Sequence, residues 1–240
     1  MKTRLDRLMM ERGLAESREK AQALIMAGEV MVDGQKAVKP GQTVSAGAAV
    51  EVHPPPPYVS RGGYKLAAAL REFAIDVTGW TCLDIGASTG GFTDVLLQAG
   101  AARVHAVDVG SGQLAWRLRT DPRVSVHDRI NARELKFEDV GELADFITCD
   151  VSFISVTLIL PAAAALLKPG GRMAILIKPQ FEAGKGQVGK GGIVRRPELH
   201  QAACDKITRA VRDLGFETAI IESPILGAEG NKEFLLYAHH

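Results

Sequence analysis

The chain has 240 residues, 46% of them hydrophobic and 24% charged, with a formal net charge of +1. This composition excludes a disordered or fibrous protein, and the length allows one large domain plus a small one. A charge so near zero gives no overall attraction to nucleic acid, so any RNA-binding face has to come from local clustering of the 29 Lys and Arg. The opening MKTRLDRLMMERG has no apolar core bounded by a cleavage site, and no run approaches the roughly eighteen apolar residues of a membrane span. Cys82, Cys149 and Cys204 are widely spaced and lack a metal-ligand pattern, so free thiols in a reducing compartment are expected. The chain is therefore expected in the cytoplasm, without a membrane partner and without a metal.

From the N-terminus, Leu5, Leu8 and Met9 fall at helical spacing and predict a short helix that stops at Gly13. Ser17 reads as the cap of a second helix with Glu19 in its first turn, Leu24 and Ile25 on its buried side and Gly28 just past its end. Val30, Val32 and an Asp33-Gly34 turn lead into a hairpin of small strands reaching about Val52. The pattern RLDRLMMERGLAESREKAQALIMAGEVMVDGQKAVKPG resembles the S4 RNA-binding domain, a small α+β module. The resemblance implies that Arg4, Ser17, Arg18 and Lys20 lie near RNA phosphates, with Lys39 a further candidate. The first 57 residues hold eight Lys and Arg against seven Asp and Glu, so charge balance alone distinguishes these residues little from an ordinary solvated surface.

Prolines at 54–57 exclude helix and sheet and predict a stiff spacer, which divides the chain into an S4 domain over 1–53, a linker over 54–58 and a larger domain over 59–240. In the larger domain, apolar strand candidates at 81–85, 104–108, 124–126, 145–149, 173–177, 216–221 and 234–237 alternate with helical patterns, notably 155–167 and 197–214. That alternation specifies a mostly parallel, doubly wound sheet with ligands at the strand carboxyl ends. Seven strands with a short final connection match the methyltransferase variant of the Rossmann fold.

The first strand runs into TCLDIGASTGGFTD, a strand, a glycine turn and a helix start. Glycines let backbone approach a ligand closely, and free N–H groups at the helix start face it. The dinucleotide fingerprint G-x-G-x-x-G is absent, and Asp84 stands just ahead of the turn, where a carboxylate suits a sulfonium and amino acid better than a pyrophosphate. Asp108 ends the next strand, about twenty residues past the glycines, where an acid accepts bonds from ribose hydroxyls. Together these features point to S-adenosylmethionine (SAM).

Four further polar residues stand where catalytic groups belong. Asp150 follows FITC, Lys178 follows AILI, Glu233 lies in GNKEF, and Lys65 lies in SRGGYKL at the start of the large domain's first helix. A lysine ending an apolar strand needs a carboxylate partner, and Asp150 on the neighbouring strand is the natural one. The set Lys65, Asp150, Lys178 and Glu233 resembles the K-D-K-E tetrad of FtsJ/RrmJ-type ribose 2′-O-methyltransferases. With YVSRGGYKL, DIGASTGGFTD, NARELKFED, DVSFISVTLILP, IKPQFEAGKGQVGKGG and GNKEF, the chain is similar to the TlyA family of rRNA cytidine-2′-O-methyltransferases, also labelled haemolysins.

The resemblance implies that Lys178 takes the ribose 2′-hydroxyl proton or positions it for loss, with Lys65, Asp150 and Glu233 setting its charge and orientation. It places SAM contacts on Gly86, Ser88, Gly90, Gly91 and Phe92, the ribose on Asp108, and the adenine around Asp128 and Asn131. Asp128 also fits a local cap. Arg61 is expected to face RNA, and the segment GKGQVGKGG to form a lid whose Lys185 and Lys190 meet phosphates. That segment lacks the Ser or Thr of a phosphate-binding P-loop. The chain resembles the shorter form of the family, which implies a cytidine of large-subunit rRNA as target. The competing readings are a membrane-active haemolysin and a SAM-binding ribosome-assembly factor without transfer activity.

Overall fold

A computed structural model describes residues 2–53, 56–184, 186–227 and 230–240. It divides into two compact units, Met1–Pro57 and Tyr58–His240. Prolines 54 and 55 of the expected spacer, and Lys185, lie outside the described residues.

In the small unit, β1 (Lys2–Arg4) leads into α1 (Leu5–Glu11), and α2 (Arg18–Ala27) follows a short connection. The Ser17 hydroxyl accepts from the Lys20 N–H at 3.1 Å, and Gly28 closes α2 in the left-handed conformation, as the cap signals require. β2 (Val30–Val32) turns through Asp33 and Gly34, both at positive φ, into β3 (Gln35–Lys36). β4 (Thr43–Ser45) pairs antiparallel with β1, and β5 (Val50–Val52) with β2. Leu5, Leu8, Met9, Ala21, Ile25 and Val30 form the core, so the helical spacing read in the first helix does set its buried face.

Within the large unit, α3 (Gly62–Glu72) precedes β6 (Thr81–Ile85), α4 (Gly91–Gln98), β7 (Arg103–Asp108), α5 (Trp116–Arg119) and β8 (Val124–Asp128). Then come α6 (Phe137–Val140), β9 (Ala144–Cys149), α7 (Leu160–Ala164), β10 (Leu167–Ile177), α8 (Pro179–Glu182), α9 (Pro197–Asp213), β11 (Glu217–Glu222) and β12 (Phe234–His239). The seven strands form one sheet in the order β11-β12-β10-β9-β6-β7-β8. β12 is antiparallel to both of its neighbours, and every other pairing is parallel. This is the Rossmann-like methyltransferase architecture expected from the strand alternation. The chain runs outward from β6 through β7 to β8, then returns to β9 on the other side of β6. The carboxyl ends of β6 and β9 therefore flank a topological switch point, where open sheets bind ligands.

Two expectations are corrected. Residues 155–167 are not one helix: a 3-10 turn at Val156–Leu158 is followed by α7 of only five residues, because Pro161 starts a new helix and the chain before it is held by side-chain contacts described below. The strand expected at 173–177 begins six residues earlier, with a register shift between Leu167 and Arg172 that takes up Pro169, Gly170 and Gly171 as an irregularity in the ladder. All three cysteines are free and buried, and burial pushes the Cys82 thiol up to about 12.

Candidate active site

The glycine turn after β6 is shaped by contacts that leave no room for side chains. Gly86 has φ +85°, and a Cβ there would lie 2.3 Å from the Asp150 carbonyl oxygen. At Gly91 a Cβ would meet the Ser60 hydroxyl at 2.3 Å and the Gly63 nitrogen at 2.9 Å, so the start of α3 rests directly on the start of α4. Gly86 is thus required by both turn conformation and close backbone approach, and Gly91 by close approach. Gly90, at φ +96°, faces Leu114 and Leu118 and does not line either cavity described here.

Two hollows open at the switch point. The larger, about 480 Å³, is lined by Gly86, Ser88, Asp108, Ile130, Asn131 and Phe153, among others. Asp108 accepts from the Ser88 N–H at 2.8 Å and from the Gly110 N–H at 2.7 Å, which fixes its carboxylate at the cavity wall. The smaller, about 200 Å³, is lined by Lys65, Phe92, Gly91, Ser152, Lys178 and others. Gly86, Ser88, Asp150 and Ser152 belong to both.

Around the smaller hollow stand two lysine–carboxylate pairs. Lys178 Nζ lies 2.6 Å from Asp150 Oδ1 and donates to Ser152 Oγ at 2.8 Å. Lys65 Nζ donates to Glu233 Oε2 at 2.5 Å, with both side chains almost fully buried. The strands explain the grouping: Ile177 faces Phe234 across the antiparallel ladder, so Lys178 and Glu233 leave the sheet side by side, while Asp150 leaves β9 on the other flank of β10. The four residues expected to act together are thus assembled from α3 and three adjacent strand ends. The expected pairing of Lys178 with Asp150 is present; that of Lys65 with Glu233 spans 168 positions and is visible only in three dimensions. Asp150 Oδ1 receives no directed hydrogen bond. Its close approach to Lys178 is therefore an ion pair, made by an oxygen that is itself sealed from solvent.

Other expected site residues are placed differently. Asp84 is fully buried beneath the turn and lines neither hollow: Thr93 Oγ1 donates to it at 2.7 Å and Thr148 Oγ1 at 2.8 Å. Burial pushes its carboxyl up to about 6, against the pull of the two hydroxyls. It braces β6, α4 and β9 where a direct ligand contact was expected. Asp128 also lines neither hollow, because it accepts from Arg119 Nη2 at 3.0 Å and from the Gly112 N–H; the guanidinium holds its carboxyl below the usual range. Asn131 lines the larger hollow.

Among the expected RNA contacts, Arg4 and Arg18 both donate to Asp6 of α1, and Lys20 is exposed. The Ser17 hydroxyl is used in capping α2. Arg61 donates to the Leu226 carbonyl at 3.0 Å, and Lys190 is exposed. Sequence reasoning missed Ser152 and Phe153, although both stand within three residues of Asp150; Phe153 is 91% exposed at φ +66°.

A Rossmann-type sheet with a glycine turn and paired lysines and carboxylates at its switch point defines a group-transfer enzyme. Comparison with known proteins specifies the class: residues 58–240 match the FtsJ-like methyltransferase family and residues 3–50 the S4 domain. The chain is 48% identical to the 16S/23S rRNA (cytidine-2′-O)-methyltransferase TlyA of Mycobacterium tuberculosis, covering 98% of this chain and 89% of that protein. It is 44% identical to Hemolysin A of Brachyspira hyodysenteriae over 98% of both. A solved hemolysin candidate from Streptococcus thermophilus superposes with a TM-score of 0.76 at 45% identity, over 99% of this chain and 88% of that one. The chain belongs to the TlyA family of FtsJ-like methyltransferases.

Proposed function

We propose that this enzyme transfers a methyl group from SAM to the 2′-oxygen of a cytidine ribose in ribosomal RNA, with the large subunit as substrate. The observation that carries the reading is the cluster of Lys65–Glu233 and Lys178–Asp150 pairs around one hollow that shares Gly86 and Ser88 with a larger cavity.

The residues present fit SAM. Gly86 lines both hollows with bare backbone, Asp108 stands at the cavity wall for ribose hydroxyls, and Asn131 and Ile130 line the side on which a base would lie. When bound, SAM supplies an electrophilic methyl carbon whose bond to sulfur breaks as the ribose oxygen bonds to it. The rest falls to the chain. Lys178 receives the hydroxyl proton or positions it for loss, held at a fixed point by Asp150 and Ser152. Lys65, ion-paired with Glu233, points an ammonium toward the developing alkoxide without leaving an unpaired ion in a buried place. Much of the acceleration would come from alignment of oxygen, carbon and sulfur. The S4 unit, through Arg4, Arg18, Lys20 and Lys39, and the Lys185 and Lys190 segment would hold RNA phosphates.

The test is transfer of labelled methyl from SAM to large and small ribosomal subunits lacking the modification, with the sugar mapped. Label on a large-subunit cytidine ribose is expected, reduced at least about a hundredfold in Lys178→Ala. Label on both subunits would retain the chemistry and overturn the large-subunit assignment. Absence of label on either, with SAM still bound, would favour an assembly factor. Among the described residues no helix is long and apolar enough to cross a membrane, so only lysis of erythrocytes by lipid-free protein would restore the haemolysin reading.

A further inference from the structure

Lys178 stands immediately before α8, at its N-cap position, and Glu182 ends that single turn. Lys178 engages the front of the segment that follows β9, through Asp150 and Ser152. Glu182 engages its back: Oε1 accepts from the Val156 N–H at 2.8 Å, and Oε2 accepts from Ser155 Oγ at 2.5 Å. The Glu182 side chain is only 2% exposed, and Lys206 of α9 supplies its counter-charge at 2.8 Å. A carboxylate sealed at that depth is costly to keep unless each oxygen is bonded, as here.

The segment between those two grips has few other anchors. Its start is tied to β6 by the Asp150 N–H donating to the Ile85 carbonyl at 2.9 Å. Past that point come Ser152, Phe153 at positive φ, and Ile154, which line the larger hollow, and the Phe153 ring meets Phe181 of α8 at 5.2 Å. Such a backbone, with a bulky residue at positive φ, persists only where surrounding contacts hold it.

We infer that Glu182 is a positioning residue for methyl transfer: by fixing Ser155 and Val156 it sets where Asp150 and Ser152 stand relative to Lys178 Nζ. This rests on the proposed reading of Lys178 as the group that handles the ribose proton. Glu182 touches neither substrate nor reacting atoms, and its effect passes through the loop. The hydrogen bonds to Ser155 and Val156 carry it; Lys206 neutralises the buried charge and adds a bond of its own to Ser155 Oγ at 3.1 Å.

The test compares Glu182→Ala with the double variants Glu182→Gln/Lys206→Met and Glu182→Ala/Lys206→Met, assayed with SAM and ribosomal subunits below the melting temperature of each protein. An amide at 182 still accepts from the Val156 N–H and meets the Ser155 hydroxyl, and replacing Lys206 removes the ammonium it would face together with that ammonium's own bond to Ser155, a loss common to both double variants, so their difference reports position 182 alone. Glu182→Ala is expected to lower kcat about a hundredfold, as misplacement of a catalytic group by about an ångström does, while KM for the subunit changes by less than about threefold. The Gln/Met pair is expected to recover most of the loss and the Ala/Met pair none of it. Unchanged kcat in folded Glu182→Ala would overturn the inference, as would a loss in the Gln/Met pair equal to that in the Ala/Met pair. Absence of transfer by the wild-type chain would instead overturn the reading on which it rests.

Discussion

Asp6 of the small unit and Asp84 of the large one are both sealed from solvent, yet their surroundings drive the two carboxyls in opposite directions. Asp6 collects the guanidinium groups of Arg4 and Arg18 and the amide of Gln22, which hold its carboxyl well below the usual range. Asp84 is given the hydroxyls of Thr93 and Thr148 and the Thr93 backbone, none of them charged, and burial lifts it to about 6. Hydroxyls satisfy hydrogen-bonding capacity without compensating charge, whereas guanidinium groups do both. Depth and partners together set the direction: burial leads at Asp84, and the Arg4 guanidinium leads at Asp6.

The largest expected effect separates the two by pH. Asp84 has a folded value of about 6 against 3.8 in the unfolded chain, so the folded state holds its proton more tightly. Its contribution to stability is fully present below pH 3.8 and is lost as pH rises through 6, a loss on the order of 3 kcal/mol. Asp84→Asn keeps both hydroxyl contacts without the charge. The variant is expected to exceed wild type in stability at pH 7, with the gap closing toward pH 4, in denaturant titrations of the whole chain. His127, whose value burial lowers, costs stability as pH falls in both proteins and cancels in the difference. A gap that did not change with pH would show that Asp84 is ionised throughout.

Asp6 has the opposite sign. Its folded value lies below 3.8, so its contribution is present above that pH and lost only on further acidification. Asp6→Ala removes a charge-assisted hub and is expected to cost roughly 2 kcal/mol, since the freed Arg4 and Arg18 are half exposed and regain water. Amide exchange in α1 and α2 should accelerate accordingly while that of β6 and β9 holds. Equal acceleration in both units would mean that the hub supports more than its own core.

These two acids also mark where sequence reasoning reaches its limit. Asp84 was legible as the residue ahead of a glycine turn, but its neighbours Leu83 and Ile85 are also buried. In a central parallel strand covered on both faces, alternation does not tell which side opens to a ligand, and Thr148 lies 64 positions away. Asp6 was hidden by its place in an amphipathic helix, where an acid beside Arg7 reads as solvated surface. The seven strands were legible because each contains a short apolar run, and the tetrad because each member stands at one end of a strand or in the first turn of a helix. The partition into Lys65–Glu233 and Lys178–Asp150, and the grip of Glu182 on Ser155, depend on which side chains meet across the sheet ends, and spacing along the chain does not carry that information.

The smallest effect sharpens the comparison most. Arg18 was expected to meet RNA, and the structure gives it a structural duty at Asp6 while leaving its side chain 53% exposed. The two duties make separable demands. As a half-exposed partner in an ion pair, it contributes less than about 1 kcal/mol to the small unit. As a phosphate contact, it contributes about one unit to the slope of log affinity against log salt. Arg18→Gln is therefore expected to leave the melting of the chain nearly unchanged and to lower the salt slope of ribosomal-subunit binding by about one. Arg4 satisfies both oxygens of Asp6 in its absence, so the hub survives the substitution. A stability loss comparable to that of Asp6→Ala, with the salt slope intact, would assign Arg18 wholly to the hub and move RNA contact to Lys20 and its neighbours.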